Sequence, residues 1–225
     1  MAAGLHAPRF DAELRERAVE LTDDADLDEL EIRELTVAGT PLHDVRLQRC
    51  RLTTVSIAGA HFSGLEWREV VATALDAVGT RFANAKWTRV EAHDSRLSGA
   101  DLAESTLRHV HFVGCRLDAV NFRMADLEWV DFTSCELRDA DFGQATLRKV
   151  RFASSTLDAA DFSSARCDGV DLRGARLDRI TGVTGLRGAI VGVDQVFPLA
   201  PVLFADLGIV IDDDPAPDSG FRAPR

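Results

Sequence analysis

Apolar residues recur at every fifth position along most of the chain. Counting from Leu27 through Ile32, Val37, Leu42 and Leu47 to Phe162, Cys167, Leu172 and Leu177, the interval holds for 31 units with no insertion. The residue two places before each of these is also apolar or small, as in Ala100, Ser105, Val110, Cys115 and Val120. Between residues 25 and 179 neither class carries Asp, Glu, Lys, Arg or His, although 28% of the chain is charged. A period of five fits neither the 3.6 of a helix nor the strict alternation of a long strand, so the chain must turn within every unit. Two inward positions flanking an outward one make a three-residue extended side, and the other two residues make a corner. Gly39, Gly59, Gly79 and Gly99 recur at one corner, as a turn with positive φ would favour. Four sides close a square coil of 20 residues, and coils stack through parallel ladders at about 4.8 Å.

A 20-residue coil predicts vertical columns of like residues. Phe112, Phe132 and Phe152 form one; Phe62, Phe82, Phe122, Phe142 and Phe162 form another, with Leu102 between. Trp67 and Trp87 share their coils with Ala72, Ala77 and Ala92, so large side chains are offset by small ones. A stack of this kind needs both ends covered. Phe10, Leu14, Ala18 and Leu21 fall at near-helical spacing and predict an amphipathic capping helix over residues 11–21. At the other end the five-residue clock fails at Gly182. An apolar stretch over 196–211 predicts a short helix, with Pro201 suited to its first position and Gly208 to its end. The expected organisation is a capping helix within 1–24, a coil over 25–180, a C-terminal cap over 181–211 and a flexible tail over 212–225. Val202, Leu203, Phe204, Leu207 and Ile209 supply more apolar surface than a cap over one coil can bury, which predicts a homodimer through this segment.

Composition narrows the function. A chain of 225 residues, 46% of them hydrophobic, suffices for one ordinary domain. A net charge of −11 argues against direct nucleic-acid binding through phosphate neutralisation. Four cysteines without a C-x-x-C pair predict reduced thiols in a cytoplasm. No apolar run is long enough for a membrane span, and Met1 is not followed by the pattern of a secretory signal. A filled coil with only small polar residues inside offers no catalytic pocket, which predicts a non-enzyme without cofactor. His109 and His111 lie outside and Cys115 inside, so no metal site is expected there, and Cys115 and Cys135, one coil apart, are expected to be free thiols.

The units Ala100-Asp101-Leu102, Val120-Asn121-Phe122, Ala125-Asp126-Leu127, Ala140-Asp141-Phe142 and Ala160-Asp161-Phe162 resemble those of pentapeptide repeat proteins. The resemblance spans residues 25–180 and implies an all-β solenoid, a right-handed quadrilateral β-helix of about eight coils. The segments Asp194-Gln195, Leu199-Ala200-Pro201 and Leu207-Gly208-Ile209 are similar to the C-terminal part of members of the mycobacterial fluoroquinolone-resistance type, which pair end to end. For such members the resemblance implies mimicry of duplex DNA and a protein partner, DNA gyrase. The side bearing Asp44, Asp101, Glu104, Asp141 and Asp161 is then the candidate partner-binding face. Against this, the coil over 26–179 carries only −5 of the net charge. A non-catalytic protein-interaction scaffold is therefore the first reading, and a gyrase-directed DNA mimic the alternative.

Overall fold

The computed structural model describes residues 4–10, 14–16, 19–37, 39 and 41–210. Extended pieces of three residues pair in parallel with the pieces 20 residues on, so that Asp26, Arg46, Glu66, Lys86, Thr106, Asp126, Thr146 and Arg166 form successive rungs of one ladder. The register holds at 20 along this ladder, from Asp26 to Arg166. This gives a solenoid of about seven turns, slightly fewer than the eight expected. The last turn is cut short because Asp171 bridges to Ile190, 19 residues on, where the cap has replaced the repeat.

The clock residues fill the interior. From Leu42 to Ile180 every one is buried except half-buried Cys167, and among the outward positions of the coil only Asp131, Gly143 and Asp158 are buried. Like stacks on like: Phe112, Phe132 and Phe152 lie 5.0 Å apart with planes 3° from parallel. Trp67 and Trp87 stack at 4.7 Å, in the space that Ala72, Ala77 and Ala92 leave free. Their indole Nε1 atoms are buried without a partner, at a desolvation cost of about 1–3 kcal/mol each. The inward hydroxyls do find partners. Thr80 Oγ1 donates to the carbonyl of Ile57 at 2.7 Å, Ser105 Oγ to that of Phe82 at 2.9 Å and Ser155 Oγ to that of Phe132 at 3.1 Å. Small polar residues are tolerated inside because a hydroxyl there reaches a carbonyl 23 residues back.

The corners differ from expectation. Gly59, Gly79 and Gly99 have the expected positive φ and Gly39 does not, yet each of the remaining fifth residues from Asp24 to Arg179 also has φ between 48° and 79°. Arg49, Trp129 and Lys149 sit in the left-handed region as Gly59, Gly79 and Gly99 do. That conformation costs a non-glycine residue about 1 kcal/mol, and the ladder opposes the cost, because corner amides donate to the coil above. Examples are Arg49 N to Arg68 O at 2.9 Å and Asp94 N to Val113 O at 2.9 Å. At one corner the strand runs straight through the turn, giving the eight-residue strands Glu66–Thr73, Lys86–His93, Thr106–Val113 and Asp126–Thr133. Two other corners close with tight turns, such as Ala100 N to Leu97 O at 2.9 Å and Ser105 N to Leu102 O at 3.3 Å.

The ends are closed by different means. At the start, the helix expected over 11–21 is not formed at residues 14–16; Arg15–Glu16 is a strand, parallel to the rung at Leu30 and Glu31. The open edge of a coil offers unpaired amides and carbonyls, which only an extended chain can match. Residues 11–13 and 17–18 of that expectation lie outside the described residues, as do Thr40, Ile211 and the tail. At the far end, Gly182 and Gly185 let the 3-10 turn Val183–Leu186 press onto the coil beneath. A Cβ at Gly182 would come within 2.2 Å of Ser163 N, and one at Gly185 within 2.0 Å of Phe162 O. Gln195, buried, donates from Nε2 to the carbonyls of Leu172 and Ala175 at 2.7 and 2.6 Å, taking the place of a next coil.

Helix α1, Val196–Asp206, completes the cap. It starts five residues before Pro201, the expected first position, because Pro198 falls in the first turn, where amides lack helical partners in any case. It ends as expected at Gly208, where Gly208 N bonds Ala205 O and Ile209 N bonds Phe204 O, a Schellman closure.

Two substitutions test this account. Phe132→Asp puts an unpaired carboxylate in a filled stack and is expected to destabilise by several kcal/mol, on the order of 3–5, in a denaturant titration. Ala119→Gly relieves the corner strain at φ 53° and is expected to raise stability by about 0.5 kcal/mol; a loss would contradict the assigned cost of the left-handed corners.

Candidate interaction surfaces

Side chains with chemistry are displayed outside the coil. Among the described residues no group of three or more His, Cys, Asp or Glu is arranged to hold a metal ion, and no helix is long and apolar enough to cross a membrane. A small cavity of about 10 Å³ near the first coils is lined by Ile32, Leu47, Phe62 and Trp67, all apolar. Cys50, Cys115, Cys135 and Cys167 are free thiols. Burial pushes the Cys167 thiol up to about 11, and the hydrogen bond to Cys115, with burial, raises Cys135 well above its ordinary value. Neither is a thiolate at neutral pH.

The predicted acidic face is partly assembled. Asp101, Asn121, Asp141 and Asp161 occupy consecutive rungs of one ladder. Glu104 stands at the corner of the same coil as Asp101, whereas Asp44 lies three coils lower, about 14 Å away by ladder spacing, with Gly64 and Asn84 between. The ladder carboxylates have a role that sequence reading missed. Asp101 Oδ1 accepts from Ala103 N at 3.1 Å, Asn121 Oδ1 from Arg123 N at 3.0 Å, Asp141 Oδ1 from Gly143 N at 2.8 Å and Asp161 Oδ1 from Ser163 N at 2.9 Å. Each caps the turn that follows it. The signal was present as the recurring Asp or Asn just before the central Leu or Phe.

Part of the negative charge is also answered locally. Arg123 Nη1 lies 3.4 Å from Asp141 Oδ2, and Arg81 Nε 4.0 Å from Asp101 Oδ2. Asp161 lies below the ordinary carboxylate range: burial alone would raise it, but the Ser163 hydroxyl and amide, the Thr181 hydroxyl and the Arg123 charge together outweigh burial. Elsewhere several carboxylates are paired with a base on the next coil. Arg49 pairs with Glu29, Arg89 with Glu69, Arg148 with Asp126 and Arg151 with buried Asp131.

These square coils, with a five-residue side and a capped Asx turn, identify the repeat, and the profile of a pentapeptide repeat region matches residues 85–162. Residues 85–162 of the coil are thus a pentapeptide repeat region. Three solved structures are similar to this chain. HetL, a pentapeptide repeat protein involved in heterocyst differentiation regulation in the cyanobacterium Nostoc sp., is 19% identical, with 75% of this chain and 90% of that one covered at a TM-score of 0.40. A trypsin-treated variant of QnrB1, a plasmid-mediated fluoroquinolone resistance protein, is 20% identical over 80% of this chain and 99% of that one, at 0.37. A pentapeptide repeat protein of the Arabidopsis thaliana thylakoid lumen is 21% identical over 56% and 72%, at 0.30. No match is found among curated proteins.

The second surface is the C-terminal cap. Of the residues expected at a dimer interface, Val202 packs against the coil's own core, while Leu203, Phe204, Leu207 and Ile209 are exposed. Phe197 and Val210, in the same predicted stretch, are 85% and 84% exposed. A groove of about 320 Å³ between α1 and the cap is lined by Val183, Leu186, Ala189, Leu199, Leu203 and Leu207. No residue of α1 is fully buried.

The capping role of the ladder carboxylates separates from their charge. Asp141→Asn retains the acceptor, as Asn121 does natively, and is expected to leave the thermal midpoint within experimental error. Asp141→Ala removes it and is expected to cost about 1 kcal/mol. Equal effects of the two substitutions would assign the residue an electrostatic role only.

Proposed function

We propose that this protein is a non-catalytic interaction scaffold, a rigid rod that presents its ladders to a protein partner in the cytoplasm and pairs with a second copy through its C-terminal cap. The observation that carries this reading is the filled interior: with the core occupied by stacked side chains, the polar chemistry of the coil lies on flat outer ladders of fixed spacing. Free thiols suit a reducing compartment. The exposed apolar face of α1 supports pairing, because a patch of this kind on a monomer is left in contact with water.

A second reading has one specific support. The run Asp101, Asn121, Asp141 and Asp161 along one edge gives the rod a line of negative potential, and the family resemblance names DNA gyrase as a partner for such a line. About seven turns at 4.8 Å give a rod near 34 Å, so an end-to-end pair would match roughly 20 base pairs at 3.4 Å. The nearby Arg81 and Arg123 work against it.

Inhibition of DNA supercoiling by purified gyrase separates the two. If mimicry operates, Asp101→Asn, Asp141→Asn and Asp161→Asn together keep the turn caps and weaken inhibition about tenfold, or about 1.4 kcal/mol. No inhibition by the native protein at about micromolar concentration, a typical threshold for specific association, leaves the scaffold reading alone. For pairing, light scattering is expected to report a dimer that Phe204→Asp with Leu207→Asp converts to a folded monomer; a dimer that survives both changes places the interface elsewhere.

A further inference from the structure

Residues 4–10 lie against the outside of the coil, along the corner column that stacks Arg49, Glu69, Arg89, His109 and Trp129. Four contacts hold them there. The ring of Phe10 lies 5.4 Å from the guanidinium carbon of Arg51. The amide of Arg9 donates to Glu69 Oε2 at 2.9 Å. The ring of His6 meets that of His109 edge-on at 4.7 Å. Gly4, at φ 107°, sits so close to Trp129 that a Cβ would come within 2.4 Å of the indole. From the corner of Arg49 to that of Trp129 is four coils, about 19 Å, and six residue steps of extended chain cover about 20 Å. The segment thus runs along the stacking axis, crossing rungs instead of joining a ladder.

His109 is the centre of this contact. Its ring stacks on Trp129 at 6.3 Å and 11°, and its Nδ1 is buried without a hydrogen-bond partner among the described residues. The charged groups around it are His6 from the docked segment, Arg89 from the coil below, and Arg108 and Glu128 from the adjoining side. Arg89 is already engaged by Glu69. Burial first, then the His6 and Arg89 charges, hold His109 below the ordinary histidine value.

We propose that residues 4–10 are a detachable strap, docked on this corner while His109 is neutral and released when it is protonated. The strip formed by Glu69, Arg89, His109 and Trp129 is covered in the first state and open in the second. The sign follows from linkage. The docked state binds fewer protons than the released one, so docking is fully stable above the ordinary histidine value near 6.5 and weakens as pH falls below it. Protonation adds a cation beside Arg89 and Arg108 with only Glu128 opposing, and desolvates it under the strap.

Acrylamide quenching of Trp129, obtained as the difference between the native chain and Trp129→Phe, reads strap occupancy. Between about pH 7.5 and about pH 5.5, either side of the histidine range, the native quenching constant is expected to rise about twofold. Gly4→Leu, which places a side chain into the indole, is expected to be readily quenched at both values, and His109→Gln to stay protected at both. The histidine titration followed by NMR gives an independent readout: the His109 pKa in Gly4→Leu moves up toward the ordinary value. Equal native quenching at the two pH values, Gly4→Leu behaving as native, or a pH response that persists in His109→Gln would each overturn the proposal. The coil's circular dichroism is expected to be unchanged throughout, since the strap lies outside it.

Discussion

The structure depends on one interaction, the parallel ladder bond that aligns each residue with its counterpart 20 positions away by linking backbone groups 19 or 21 positions apart. Glu66 N to Val45 O, Lys86 N to Leu65 O and Thr106 N to Ala85 O, each at 2.9 Å, are successive instances of one geometry. Because the step stays at 20 through the coil, inward side chains stand over inward ones and outward over outward. For aromatic residues this is favourable: the phenylalanine columns stack nearly parallel at about van der Waals separation. For charges it is a penalty, since like charges in register repel across about 4.8 Å. Alternation such as Glu29, Arg49, Glu69 and Arg89 is the answer at one corner. On the acidic edge Asn121 separates Asp101 from Asp141, whereas Asp141 and Asp161 stand in direct register. The rule therefore limits how DNA-like any face of this rod can be.

The same ladder makes the ends the weak points, and the two are closed by unlike devices. At the start, Arg15–Glu16 continues the ladder by one short rung. At the far end a buried Gln195 side chain satisfies two carbonyls, while two glycines bring a 3-10 turn down onto the last full coil. The first device consumes an open edge. The second covers it but leaves the apolar side of α1 facing outward, which is why assembly through that end is the economical reading. Between them the strap of residues 4–10 ties four coils together from outside, joining turns that otherwise contact only their nearest neighbours.

The amino-acid sequence by itself determined the period, the inward set, the aromatic columns, the small-for-large exchange beside Trp67 and Trp87, and the point at Gly182 where the repeat stops. Each follows from spacing along the chain combined with the need to keep charge out of a filled core. The tertiary structure alone decided what depends on distances between turns. Left-handed corners at Arg49 or Trp129 have no local signature, because their cost is opposed by bonds to a coil 19 residues on. A helical pattern at residues 14–16 yielded to an exposed strand edge that no local propensity could register. The meeting of His6 with His109 is of the same kind: residues a hundred positions apart become neighbours only once the coil has been wound.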